Sequence, residues 1–282
     1  MILKNKKIII TGGSRGIGRA IAEAFLREGA EVLLVARGRA ELVKTEKEFA
    51  NSSVFICQGD VSKPEDIKEI FKKTVAIWSG EVDVLINAAG IYGSKGLLEE
   101  TGEDEWLQTI LVNLFGTVLM TRCVIPLMKK KREGVVINFS GGGEGSFPRF
   151  SAYAVSKSGV VRFTETVAEE VRPWGIRINA IAPGAVNTGL LEEVLEAGPE
   201  KVGKDFYERS KKQKEEEGVS PEKAAKLCLF LASEKSRGLT GRVLSAVWDD
   251  LESTAEHINE IMNSDIYTFR RIKPIDRGYG WK

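Results

Sequence analysis

Short, almost wholly apolar runs recur along this chain, most of them followed by an amphipathic stretch of helical period, and no other feature narrows its fold so far. Lys7–Thr11, Glu31–Ala36, Val54–Cys57, Val82–Ile86, Gly134–Asn138, Ile176–Ile181 and Gly241–Ser245 read as strands. Helices are predicted over Gly16–Arg27, over Arg39–Phe49, from Pro64, over Glu103–Lys130 with a bend near Gly116 or Pro126, over Ala152–Arg172 and over Pro221–Leu231. Strands that are continuously apolar, rather than alternating, must be covered on both faces. Alternation of such strands with helices implies right-handed crossovers and an α/β fold, a Rossmann-type doubly wound parallel sheet. Ligands of that fold bind beyond the carboxyl ends of the strands, so the residues just after each strand are the ones to read for chemistry.

The junction after the first strand is Thr11-Gly12-Gly13-Ser14-Arg15-Gly16-Ile17-Gly18. A glycine loop between a strand and a helix lets backbone N–H groups approach a pyrophosphate at the helix N-terminus. A plain tight turn has the same composition, and only its place at the first strand–helix junction favours the nucleotide. The end of the second strand reports which dinucleotide fits. An acidic residue there accepts hydrogen bonds from the ribose of NAD. This chain has Ala36 followed by Arg37, with Arg39 as a less well placed alternative, and the glycine loop adds Arg15. Two guanidinium groups and no carboxylate favour NADP(H) over NAD(H), provided they are more than solvated surface charges.

Tyr153 and Lys157 stand four apart at the start of a predicted helix, on one face. A neighbouring ammonium favours the phenolate and lowers the tyrosine pKa, which makes Tyr153 a usable acid and base. Ser140 follows the fifth strand, where its hydroxyl can hold a carbonyl oxygen. Asn113 lies among Leu111, Val112, Leu114 and Phe115, either as part of this site or as a satisfied core amide.

These residues resemble the short-chain dehydrogenase/reductase family from about Lys6 to Ser245. The loop Thr11–Gly18 matches the cofactor loop, and Asp60-Val61 the adenine-contacting pair. Asn87-Ala88-Ala89-Gly90 matches the segment after strand four, and Pro183, Gly184 and Thr188 the segment beside the nicotinamide, with Val186 between them. Asn113, Ser140, Tyr153 and Lys157 match the catalytic tetrad. The resemblance implies hydride transfer between nicotinamide and a carbonyl or alcohol substrate. Tyr153 would be the general acid/base, Ser140 would orient the substrate oxygen, and Lys157 would bind the nicotinamide ribose. Asn113 would hold a water. Cofactor contacts would come from Gly12, Ser14, Arg15, Gly16, Ile17, Gly18, Arg37, Asp60, Val61, Asn87, Ala88, Gly90, Tyr153, Lys157, Pro183, Gly184, Val186 and Thr188. A 3-oxoacyl thioester reductase is the alternative, and a non-catalytic dinucleotide-binding regulator a further one. A homodimer or homotetramer is also implied, with interfaces on the two long helices and on the last strand.

Two segments depart from the family pattern. Gly141-Gly142-Gly143 follows the serine, suggesting close backbone approach or mobility, and Phe147, Arg149 and Phe150 either face substrate or pack the loop. Residues 248–282 extend beyond the 1–247 domain, with a helix expected over Leu251–Asn263 and an aromatic tail that packs on this subunit or on another. The segment Leu190–Gly218, which usually lids the substrate, is rich in Glu and Lys and identifies none.

Composition excludes other classes. With 41 basic and 40 acidic residues the net charge is +1, so no global field draws nucleic acid or an anionic membrane. Cys57, Cys123 and Cys228 lack metal-ligand spacing and His257 stands alone, which argues against zinc and against a Ser–His or Cys–His nucleophile. No apolar run approaches a membrane span, and the opening Met1–Lys7 lacks signal-peptide character, so a cytoplasmic enzyme with reduced thiols is expected.

Overall fold

The computed structural model describes residues 1–50, 52–141 and 145–281. Within them, seven strands form one sheet of order β3-β2-β1-β4-β5-β6-β7, every pair parallel. The strands are β1 (Lys7–Thr11), β2 (Glu31–Ala36), β3 (Val54–Gln58), β4 (Val84–Asn87), β5 (Gly134–Phe139), β6 (Ile176–Ala182) and β7 (Val243–Ser245). The order reverses between β1 and β4, which opens a crevice at their carboxyl ends.

Successive strand residues point to opposite faces. Ile8, Ile10, Val32 and Leu34 therefore enter one core with Ile21 and Phe25 of α1 (Gly16–Arg27), Leu42 of α2 (Arg39–Glu48) and Leu231 of α9 (Pro221–Ala232). Ile9, Leu33, Val35 and Leu85 enter the other, with Ile67 and Ile70 of α3 (Pro64–Trp78) and Met120, Val124 and Met128 of α5 (Gly116–Lys131). Two buried faces explain why the strands are apolar without alternation.

The long helix predicted from Glu103 differs from expectation at its centre. It begins as α4 (Glu103–Ile110), passes through a π-helical turn over Leu111–Phe115, and continues as α5. The extra residue of the wide turn lies just before Gly116, and it brings Asn113 inward, fully buried. Such turns inside α-helices are frequent at functional sites. By length and apolarity alone the stretch Glu103–Lys131 could cross a membrane, which the run-by-run reading of the sequence missed. Its apolar residues instead serve the second core through Val112, Met120, Val124 and Met128.

The charged segment after β6 folds into α7 (Gly189–Val202), broken at Gly198 (φ 77°), and α8 (Lys204–Glu215). The extension after β7 forms α10 (Leu251–Glu256) and α11 (Ile258–Met262) and lies against its own chain. The guanidinium of Arg242 donates to the carbonyls of Ile261 (2.9 Å) and Ser264 (3.1 Å), closing the end of α11. Val243 N–H, on the outer edge of β7, donates to Tyr267 O at 2.9 Å. Trp248, Tyr279 and Trp281 remain exposed.

Candidate active site

Each half of the crevice can be built from its residues. In the glycine loop, Gly12 and Gly16 have φ of 69° and 54°, in the left-handed region that favours glycine. A Cβ on Gly12 would stand 2.9 Å from Ala89 Cα and 3.0 Å from Ala88 O, so the loop lies directly on the segment after β4. A Cβ on Gly18 would collide with the carbonyl oxygen of Gly12. Arg15, at the N-cap of α1, makes no capping hydrogen bond, and the first turn holds no acidic residue. This helix end is thus available to a phosphate, with backbone N–H groups and a favourable dipole. The loop fits a pyrophosphate on the evidence of its own backbone.

Arg15 and Arg37 are both exposed, at the β1–α1 and β2–α2 junctions, and neither forms an ion pair among the described residues. Arg15 is close to the start of α7, since a Cβ on Gly189 would lie 3.4 Å from its Nη1. Ser14 O accepts from Thr45 Oγ1, and Ile17 packs on the first core. Asp60 accepts from Ser62 N–H at 3.0 Å and from its hydroxyl in a local turn, and neighbouring Val61 is buried and packs under Gly116. The side chain of Asn87 turns away from the crevice. Its Nδ2 donates to Asn138 Oδ1 (2.8 Å) and Thr121 Oγ1 (3.1 Å) in the core, so only its backbone is placed for a cofactor. Thr188 caps α7 through Leu190 N–H and sets its methyl against Gly16, while Gly184 (φ 82°) turns the chain after Pro183. Val186 is buried and bridges to Gly218 and Val219.

The tetrad candidates gather at the carboxyl ends of β4, β5 and β6. Asn113 Oδ1 accepts from Ile91 N–H (2.9 Å), while its Nδ2 donates to Ile91 O (2.9 Å) and Ser156 Oγ (3.0 Å). It clamps the strand-four loop to α6 (Ser151–Val171), and a Cβ on Gly90 would lie 3.3 Å from Asn113 Oδ1 and 3.5 Å from Lys157 Nζ. The amide of Asn113 is thus satisfied, by Ile91 of the loop and Ser156 of the helix that carries Tyr153 and Lys157. Ser140 is fully buried and donates to Ile181 O at 3.3 Å. Lys157 Nζ donates to Phe139 O at 2.9 Å. The Tyr153 hydroxyl lies beside Gly141, where a Cβ would stand 3.6 Å from it and 3.5 Å from Pro183 Cδ. Gly142 and Gly143, singled out in the sequence, lie outside the described residues.

Burial sets the titration of this pair, and one expectation is corrected. Tyr153 is pushed above the ordinary phenol value by burial and then by its neighbour Tyr92, not lowered. The reason is geometric: Lys157 Nζ stands 5.7 Å from the centre of the tyrosine ring and is engaged with Phe139 O. Burial brings Lys157 itself down to about 8, still protonated at neutral pH.

Around Tyr153 stand Phe147 and Phe150, which the sequence leaves either facing substrate or packing the loop, together with Tyr92 and Phe206, which it does not assign to the site. Tyr92, one residue past the Asn113 clamp, has its ring centre 4.7 Å from that of Tyr153. Phe147 and Phe150 stack at 4.4 Å, and Phe206 of α8 meets both edge-on at 5.1 and 5.2 Å. Val194 and Val202 of α7 close the cluster. Their apolar spacing within a charged helix was the only signal available. Arg149 has φ 69° and donates to Glu200 O at 2.8 Å, so it pins the loop to the α7–α8 junction rather than facing the cleft.

Comparison with known proteins gives three results. The family described as short chain dehydrogenase matches residues 6–198. A 3-oxoacyl-(acyl-carrier-protein) reductase of Thermotoga maritima is 36% identical over 248 residues, 86% of this chain and 97% of the relative; a D-beta-hydroxybutyrate dehydrogenase of Cupriavidus necator is 31% identical over 256 residues, 88% and 97%. Among solved structures, a variant of actinorhodin polyketide ketoreductase with NADPH superposes with a TM-score of 0.78 at 28% identity, covering 86% of this chain and 95% of that one. Levodione reductase gives the same score and identity, covering 86% and 96%.

Proposed function

The chain belongs to the short-chain dehydrogenase/reductase family and is an oxidoreductase acting on carbonyl and alcohol groups, and from that premise we propose that it reduces a carbonyl with NADP(H), using Tyr153 as proton donor. The observation that supports this best is the convergence of Tyr153, Lys157 and Asn113 on Gly90 and Gly141, beside a glycine loop whose backbone fits a pyrophosphate. A bound nicotinamide dinucleotide supplies or accepts the hydride. Gly12 to Gly18 hold its phosphates, Arg15 and Arg37 the 2′-phosphate, Asp60 and Val61 the adenine side, and Pro183 to Thr188 the nicotinamide side.

The chain's own residues then manage one oxygen. Ser140 presents its hydroxyl to the substrate oxygen, exchanging the 3.3 Å bond to Ile181 O for a better one. Tyr153 passes its proton to that oxygen as charge builds, or removes it in the reverse direction. The Lys157 ammonium, protonated below about pH 8, favours the resulting phenolate. Asn113 fixes the loop and helix that hold the pair, and holds the water that relays protons to Lys157. The free thiols Cys57, Cys123 and Cys228 suit a reducing compartment such as the cytoplasm. Exposed Leu107, Phe115 and Val155 on α4, the π turn and α6 suit a homodimer or homotetramer built through these helices.

A 3-oxoacyl thioester is the second reading for the substrate, favoured by the Thermotoga maritima relative. NADPH oxidation followed against ketones, sugars, quinones and 3-oxoacyl thioesters tests both, with Tyr153→Phe as control. Turnover should fall by about 10²–10⁴-fold in the variant with NADPH affinity kept. Retained turnover overturns the role of Tyr153, and equal use of NADH overturns the cofactor preference.

A further inference from the structure

We propose, resting on the carbonyl-reductase reading above, that the rings around Tyr153 form an aromatic box that selects a flat, aromatic-fused cyclic ketone over a flexible aliphatic 3-oxo compound, with Tyr92 as its main specificity-determining residue. Four segments contribute: Tyr92 after β4, Phe147 and Phe150 after β5, Tyr153 on α6 and Phe206 on α8. Ring centres lie 4.4 to 6.3 Å apart, mostly tilted or edge-to-face, the geometries that aromatic quadrupoles favour.

The five rings divide by exposure. Phe150 and Tyr153 are buried and form the floor, while Tyr92, Phe147 and Phe206 are half-buried and form the mouth. Phe147 and Phe150 stack too closely to admit a third ring between them. A ligand ring therefore meets the accessible parts of Tyr92, Phe147 and Phe206. Such a wall rewards a rigid plane, which loses few rotamers on binding, more than a chain that must be straightened.

Tyr92 is held in place with unusual firmness. The Asn113 amide takes both peptide groups of Ile91, at 2.9 Å each, so the residue after it cannot drift. On its other flank, Lys95 donates to Gly93 O at 3.0 Å and pairs with Glu193 of α7 at 3.4 Å, tying the loop to the lid. Gly96 N–H donates to Arg149 O at 3.0 Å, which joins the Tyr92 loop to the Phe147 loop. The box is thus cross-braced by hydrogen bonds and an ion pair, and its rings are pre-positioned beside the proton donor.

The test compares 2-tetralone with its saturated counterpart 2-decalone and with S-acetoacetyl-N-acetylcysteamine, all with NADPH. The parent should show kcat/KM at least tenfold higher for 2-tetralone than for either of the others, and in Tyr92→Leu the tetralone-to-decalone ratio should fall to near one. Phe147→Leu serves as a second, independent variant and should lower the ratio severalfold. Calorimetric titration with 2-naphthol, which cannot be reduced, reads the box without turnover; it should bind at least tenfold more tightly than decahydro-2-naphthol. Equal or better turnover of 2-decalone or of the thioester overturns the aromatic box and leaves carbonyl reduction standing. Selective 2-naphthol binding with no turnover of any ketone supports the box and counts against the reductase reading. Absence of both turnover and selective binding overturns the box.

Discussion

The glycine loop of residues 11–18 and the ring cluster around Tyr153 lie at the same edge of one sheet, but the first is made of backbone and the second of side chains. In the loop, function depends on what is missing: a single Cβ at Gly12 or Gly18 meets backbone atoms of Ala89 or Gly12 that cannot move aside. In the cluster it depends on what is added, five rings from four segments that touch only once the chain has folded. A backbone device tolerates almost no substitution and serves a constant ligand. A side-chain device can change ring by ring while the proton donor stays fixed, and this is how one fold accommodates many substrates.

Gly18→Ala should break the backbone half most severely. Its new methyl would collide with Gly12 O, and relief requires shifting the loop that receives the pyrophosphate. NADPH affinity, measured by fluorescence quenching, should fall by about 100-fold or more, since each ~1.4 kcal/mol of strain or lost contact is tenfold. Gly145→Ala, where no atom of the described residues lies within 4 Å of the added carbon, should leave it unchanged. Parent-like binding by Gly18→Ala would remove the backbone argument.

A smaller effect should follow from the two cations beside the loop. Arg15 and Arg37 are exposed, so solvent screens them, and charge-assisted bonds of about 1.5–3 kcal/mol are an upper range. The double alanine variant should lose about 10- to 100-fold in NADPH affinity with NADH affinity little changed. Arg37→Ala alone should account for most of it, because the Arg15 guanidinium rests beside Gly189. Parallel losses for both cofactors would show that neither side chain reads the 2′-phosphate.

The contrast also explains what the sequence could disclose. Glycines at Gly12, Gly16 and Gly18 answer a local steric demand, so their spacing survives in the linear chain, as does the four-residue spacing of Tyr153 and Lys157 on one helix. The strand pattern was legible because two-sided burial leaves continuous apolar runs such as Lys7–Thr11. Tyr92, Phe147 and Phe206 belong to no local period, and their meeting depends on the Asn113 clamp and on the Lys95–Glu193 pair across distant segments. The π turn that buries Asn113 shows in the sequence only as a bend near Gly116 or Pro126, because one extra helical residue has no compositional mark. The sign of the Tyr153 shift was also hidden, since spacing brings a lysine near a tyrosine without saying how far either is from water.

That last point yields the finest test, at Lys157, where the two halves of the cleft meet. An unfolded lysine titrates near 10.5, whereas burial holds Lys157 at about 8 in the cofactor-free protein. Below pH 8 both states are protonated, and the folded state bears the cost of burying an ammonium, about 3 kcal/mol for a shift of this size. Between pH 8 and 10.5 the unfolded chain keeps a proton that the folded one has released, so this residue's contribution raises folding stability as pH climbs, by at most ~1.4 kcal/mol per unit. The thiols of half-buried Cys123 and buried Cys228, whose pKa values burial raises, act in the opposite sense at alkaline pH, so the parent curve alone would mix the two. The difference between parent and Lys157→Met removes that shared background. From urea unfolding of the cofactor-free proteins, the difference should be flat below about pH 8 and rise above it in favour of the parent. A difference flat to pH 10 would mean that Lys157 keeps its charge and hydration throughout, and the site would then be open to water at the point where the backbone device and the side-chain device meet.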